Sequence, residues 1–210
     1  MPRTNSNHEA RWPAMLAIIV VGILNAALPD YLSVGPRWLL IVLVSVLEIP
    51  TILAARRHWI RAHETLGLVI CVLITLFLLL SLALLILALP THKENPVDLL
   101  RSAAALWLAN VIVFAFWFWR LDAGGSFARD KVPGHTEGAF LFPQMVQPER
   151  YPGWSPRFVD YLFIAFNHST AFSPTDAPVL SRWAKVVTMF QSLISLTIVI
   201  LLAARAVNIL

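Results

Sequence analysis

The sequence predicts an all-α membrane protein with about five transmembrane helices plus a re-entrant short helix and turn of the pore type. Three observations carry this. Of the 210 residues 58% are apolar and only 13% charged, about half the charged share of a soluble domain. Several uncharged runs reach the roughly 20 residues that a hydrocarbon core of about 30 Å demands of a helix. A short capped helix and a hydroxyl-rich, proline-broken turn lie between the last two apolar runs.

The first span covers residues 12–32. Arg3 and Arg11 before an apolar core that ends in small residues also fit a signal peptide; the length of the run and the membranous remainder favour a retained helix. The second span, 38–55, follows the turn "SVGPR", and the third, 66–89, is uncharged and closed by Pro90. Asn95-Pro96 reads as an N-cap with proline at the first helical position, so an outer helix is expected over 96–120. Its aromatic cluster (Phe114, Phe116, Trp117, Phe118, Trp119) before Arg120 reads as an interfacial belt with a charged anchor.

Residues 121–155 are rich in Gly, Pro and charge and form an extramembrane loop, long enough for a role or a packed cap. Within it "GAFLFP" and "YPGW" are apolar enough to dip into the interface. Ser155-Pro156 opens a short helix, 156–168, of roughly 20 Å, too short to cross the core. A filter-like turn follows at 169–178, then an inner helix at 182–207. The chain divides into a three-helix region, 1–95, and a pore-like module, 96–210.

Ser169, Thr170, Ser173, Pro174, Thr175 and Asp176 make up the turn, whose oxygens in an oligomer would form a ring attractive to hydrated cations. The plainer reading is a capped turn, with Asp176 or Ser181 capping the last helix and the hydroxyls satisfying nearby backbone. Asn167 and His168 end the short helix; a C-terminal cap, favoured by the helix dipole, outweighs a pH-sensing imidazole. Glu48 is a carboxylate well inside an apolar span, followed by Pro50. Intramembrane acids default to a functional hypothesis. Asn110 and Asn25 are its candidate polar partners, and an inter-helix tie competes with ion or proton handling. Asp160 suits the N-terminus of the short helix and has Arg157 in the same turn.

The net charge of +4 comes with no Lys/Arg cluster on one face, so nucleic acid is not an expected partner. The single cysteine, Cys71, lies in the longest apolar run, without a disulfide partner or a companion at metal-ligand spacing. No hydrolase elbow, zinc-binding, phosphate-loop or dinucleotide pattern occurs, and Asp122, His135 and Glu137 form no nucleophile–base arrangement. The expectation is a protein that is not an enzyme and takes neither metal nor cofactor. Arg3, Arg11, Arg56, Arg57 and Arg61 outnumber Arg37, Lys93 and Arg101 across the first spans, which puts the N-terminus in the cytoplasm by the positive-inside rule.

From Tyr161 to Asn208 the chain resembles the pore helix, filter and inner helix of prokaryotic tetrameric cation channels of the potassium-channel type. Asp176 matches the filter's final aspartate, Pro178 falls within one position of the family's proline, Lys185 matches the basic residue opening the inner helix, and "AARAV" at 203–207 matches its end. The resemblance implies a homo-oligomer, a tetramer, in the prokaryotic cytoplasmic (inner) membrane, with monovalent cations as candidate permeant species. Where those channels carry Gly-Tyr-Gly this chain has Ser173-Pro174-Thr175. Proline fixes φ and lacks an N–H, so potassium selectivity is not carried over. The layout also resembles bacterial inner-membrane proteins that keep such a C-terminal hairpin. The expected function is passive cation or small-solute permeation. The alternatives are a non-conducting protein whose hairpin serves packing or partner binding, and a proton-coupled carrier using Glu48.

Overall fold

The computed structural model describes residues 9–88, 96–130, 138–170 and 177–207. Among them the α-helices are α1 Trp12–Ala26, α2 Leu39–Arg56, α3 Ile60–Ala88, α4 Pro96–Leu121, α5 Ser126–Arg129, α6 Pro143–Val146, α7 Phe158–Thr170 and α8 Arg182–Val207. The described residues contain no strand, only an isolated bridge between Phe140 and Val179. Four helical stretches, Leu39–Arg56, Ile60–Ala88, Val97–Gly124 and Arg182–Ala204, are long and apolar enough to cross a membrane.

Two boundaries differ by six residues from the sequence expectation, each for a local reason. The first helix stops at Ala26, because Pro29 cannot continue it and a short 3-10 turn at Asp30–Leu32 takes over. Its 15 residues span about 22 Å at 1.5 Å each. The third helix begins at Ile60 rather than at 66. His58 takes φ 56° and breaks the chain after α2, so the charged stretch "IRAHE" is helical but lies at the end of the bundle. Hydropathy marks the apolar part of a helix, not the helix.

The fourth helix is the centre of the molecule. It packs against α1, α3, α7 and α8, and nearly every residue from Ala109 to Arg120 is buried. This corrects the reading of its aromatic cluster as an interfacial belt. Phe118 meets Phe140 edge to face at 5.0 Å, Phe114 meets Phe190 at 6.0 Å and Trp119 meets Phe158 at 6.2 Å. A helix enclosed by four neighbours must be apolar all round, and rings supply the volume to fill the gaps. The outer helices reverse this pattern. Val46, Ile49 and Leu53 on α2, Leu76 and Leu80 on α3, and Val186, Met189 and Leu193 on α8 are exposed, as suits contact with lipid.

The segment expected as a loop over 121–155 is a packed cap at 121–130 and around 139–145, while 146–153 are exposed. "GAFLFP" packs on the bundle, with Phe142 5.6 Å from Tyr161, whereas of "YPGW" only Trp154 packs, 5.4 Å from Phe142. The cap is organised by two buried charges. Asp122 accepts a hydrogen bond from the Tyr161 hydroxyl at 2.6 Å and another from the Ala139 N–H. A Cβ at Gly138 would come within 2.8 Å of that carboxylate, so the chain approaches it at a glycine. Arg129 donates to the Trp119 and Asp122 carbonyls, at 2.9 Å each, and pairs with Glu9 at 3.0 Å. The other Glu9 oxygen accepts from the Trp119 indole. Thus the residues before α1 are tied to the end of α4.

Arg129 and Glu9 are both almost fully buried, and removing one partner of such a pair typically costs about 3–5 kcal/mol. Burial pushes the Glu9 carboxyl above its ordinary value, and the Arg129 guanidinium opposes this. Without the guanidinium the carboxyl rises further, so stability is lost as pH climbs through that higher value and kept below the ordinary value near about 4. Arg129→Ala is therefore expected to lower the unfolding free energy by about 3–5 kcal/mol at neutral pH and by clearly less in acid. Denaturation in mild detergent at both pH values checks this; a pH-independent loss would dismiss the ion pair as the cause.

Candidate functional site

Four helices end together on the side where Arg11, Arg56, Arg61 and Arg120 lie, and there they enclose a cavity of about 370 Å³. Its deep walls are apolar: Ala14 and Ile18 from α1, Ile52 from α2, Ile70 from α3 and Phe116 from α4. Its polar groups are few and mostly charged. Arg56 and His58 are exposed, while Arg120, Glu48 and His63 are buried.

Arg120 is 9% exposed; among the described residues no carboxylate lies at ion-pair distance from its guanidinium, and the exposed Glu64 acts on it from farther away. One terminal nitrogen donates to the backbone carbonyls of His63 and Glu64, the other to His63 Nε2 at 3.1 Å. Because a cationic donor faces Nε2, that nitrogen carries the lone pair, and Nδ1 donates its proton to the Thr51 carbonyl at 3.2 Å. Both ring nitrogens of His63 are thus occupied, and the imidazole joins α2, α3 and α4. The third Arg120 nitrogen, Nε, is buried without a partner. The guanidinium lies where a Cβ on residue 67 would be, so glycine on α3 is what admits it.

Glu48 stands about eight residues, or roughly 12 Å, in from the end of α2. It is 7% exposed and lines the cavity. Its Oε1 is buried without a hydrogen-bond partner. Neither asparagine expected to pair with it does so: Asn25 donates to Ser81 at 3.4 Å, and Asn110 to the Gln191 carbonyl at 3.3 Å. Arg11 completes the wall. It pairs with Asp130 at 3.0 Å, lies over the Phe127 ring, and leaves its Nε buried and unpaired.

The C-terminal hairpin forms a second polar centre. The last carbonyls of a helix lack intrahelical partners; here α8 supplies them to His168 and Ser169 of α7. Gln191 Nε2 donates to the Ala165 carbonyl at 2.8 Å and to the Ser169 hydroxyl at 2.9 Å, Ser195 to the Ser169 carbonyl at 2.8 Å and Ser192 to that of His168 at 3.3 Å. Trp107 on α4 donates to the Ser195 hydroxyl at 3.0 Å. The Asn110 Oδ1, Gln191 Oε1 and Thr188 hydroxyl oxygens are buried without partners.

Of the residues singled out in the turn, Ser169 is buried against α8 and Thr170 is exposed, its hydroxyl donating to the Phe166 carbonyl at 3.0 Å. Ser173, Pro174, Thr175 and Asp176 lie outside the described residues, as do His135 and Glu137. Asn167 is half-buried, and His168 Nδ1 lies 2.8 Å from the Ile164 carbonyl. Asp160 accepts from the Arg157 N–H at 2.7 Å and Ser181 from the Ala184 N–H at 3.3 Å, each capping its helix. Among the described residues no group of three His, Cys, Asp or Glu is placed to hold a metal.

Sequence reasoning did not single out His63, Gly67, Arg11 and Arg120 as one cluster, nor Gln191 with Ser195. The second omission had a signal, since Gln191, Ser192 and Ser195 recur at helical spacing in an apolar run.

An all-helical fold among the described residues, with four helices long and apolar enough to cross a membrane, is compatible with a multi-pass membrane protein. Comparison with family models, curated proteins and solved structures returns no match to this chain.

Overpacking a tight site costs about 1–3 kcal/mol. Gly67→Ala is expected to destabilise by that amount because its methyl group displaces the Arg120 guanidinium, and to be close to neutral in an Arg120→Ala background. Unfolding of the four members of this double-mutant cycle checks the contact; additive losses would contradict it.

Proposed function

We propose that the protein is a proton-coupled carrier whose substrate site is the cavity among α1, α2, α3 and α4. The observation that carries this is Glu48: a buried carboxylate, lining the cavity, with an oxygen that no described group satisfies. An ionised carboxylate left unpartnered in such surroundings costs several kcal/mol, so it takes up a proton or meets a donor brought by a ligand. Either event couples occupancy of the cavity to proton binding. The arginines at the mouth, with the positive-inside rule, support a mouth on the cytoplasmic face. In this reading α1 is a fifth span and α7 a half-helix that re-enters the membrane, in the cytoplasmic membrane of a prokaryote.

A second reading, passive permeation through the α7–α8 hairpin of a homo-oligomer, is favoured by the unpaired Asn110, Gln191 and Thr188 oxygens beside the end of α7. Acceptors of this kind hold water or a cation. One hairpin cannot enclose a pore, so this reading requires oligomers. Mass measurement in lipid nanodiscs is expected to give a monomer or dimer under the carrier reading; a tetramer leaking cations from liposomes would reverse the preference.

Liposomes holding purified protein and a pH-sensitive dye test the carrier directly. Glu48→Gln is expected to abolish proton movement driven by a substrate gradient while the protein still reconstitutes. Undiminished proton movement in that variant would refute the role of Glu48.

A further inference from the structure

From the charge distribution of the same cavity we infer its substrate class: a small amphiphilic anion, with one carboxylate, sulfonate or phosphate head on a short apolar chain. The inference rests on the carrier reading and deepens it. The groups facing the cavity are three guanidinia, Arg11, Arg56 and Arg120, against one carboxylate, Glu48. Arg11 is offset by Asp130 and Arg56 is exposed to solvent. Arg120 is buried and has no carboxylate at ion-pair distance among the described residues.

A buried guanidinium with no carboxylate at ion-pair distance favours an anion beside it. Arg120 lines the cavity, and its Nε–H has no hydrogen-bond partner among the described residues. A cationic substrate would meet the charge of Arg120 inside and that of Arg56 at the mouth. A metal ion would find one carboxylate and an imidazole with both nitrogens engaged. Beyond the charged rim the walls are Ala14, Ile18, Ile52, Ile70 and Phe116, which accept methylenes and offer nothing to a sugar or a peptide backbone.

The volume suits a small molecule; ligand pockets run from about 300 to 1,000 Å³. Charge balance then gives the coupling. The anion offsets Arg120, a proton neutralises Glu48, and the loaded cavity gains no net charge. Entry is from the arginine-rich end, where Arg56 raises the local concentration of anions.

Octanesulfonate is a suitable probe, because it stays charged at all working pH values and does not cross lipid unaided as a neutral acid. Calorimetric titration into protein held in phosphatidylcholine nanodiscs is expected to show saturable binding. Arg120→Gln should weaken it about tenfold or more, the worth of one charge-assisted hydrogen bond. Ala55→Trp, which fills the mouth without touching a charge, should abolish it and keeps the test valid if Arg120→Gln fails to fold. Octyltrimethylammonium is the inverse probe; binding of the ammonium in place of the sulfonate would overturn the substrate class.

A second set of nanodiscs containing phosphatidylglycerol distinguishes the source of the anion. Loss of sulfonate binding there identifies a lipid phosphate as the natural occupant, and unchanged binding identifies a free amphiphile. Sulfonate binding at wild-type strength without proton movement would sink the carrier and leave the anion site standing. Proton movement driven by the ammonium, with no sulfonate binding, would do the reverse.

Discussion

A helix leaves its last carbonyls without intrahelical partners, and where that end packs on a neighbouring helix the partners must come from side chains. Much of this structure follows from that constraint. The end of α7 is satisfied by Gln191, Ser192 and Ser195 of α8, and α8 in turn is held to α4 through Asn110 and Trp107. These bonds turn the polar side of α8 inward. They leave Val186, Met189, Leu193 and Ile200 on its outer side, where apolar groups meet no penalty in lipid.

The same bonds reach the cavity through α4. That helix is clamped by α7 and α8 over its length and by the Glu9–Arg129–Asp122 cap at its end. Arg120 sits between the two clamps. Its guanidinium is aimed across α3 at Gly67 and fixed by the carbonyls of His63 and Glu64. A buried cation so placed has little freedom to find a carboxylate of its own. In the proposed carrier the anion comes to it, and the cap that immobilises α4 also keeps the charge of Arg120 from relaxing away.

The class of fold was legible from hydropathy and proline positions alone, and so was the short helix α7, displaced by two residues at each end. What escaped had physical causes. Arg120 was read as an interfacial anchor because the last residues of an apolar helix usually lie at the headgroups; only the enclosure of α4 on all sides made it internal. The aromatic cluster before it was misjudged for the same reason, since sequence gives the period of a helix but not how many neighbours it has. The extra turn of α3 was hidden by its charges. Glu48 is conspicuous as an acid in an apolar run, but a sequence does not say which helix faces meet, and Asn25 and Asn110 face Ser81 and Gln191 instead.

Both polar centres hold unsatisfied atoms, and magnitudes decide between them. In the hairpin the orphans are neutral oxygens of Asn110, Gln191 and Thr188, each costing about 1–3 kcal/mol when left unpaired; ordered water removes that cost without any function. In the cavity the orphans belong to charged groups, Arg120 and Glu48. The effective penalty for a buried ion is several kcal/mol, and water in a mostly apolar cavity offsets only part of it. Natural sequences retain such groups where a ligand removes the penalty in the working cycle. The turn after α7 carries the channel resemblance, but the larger unbalanced energy lies at the other polar centre, among the first four helices.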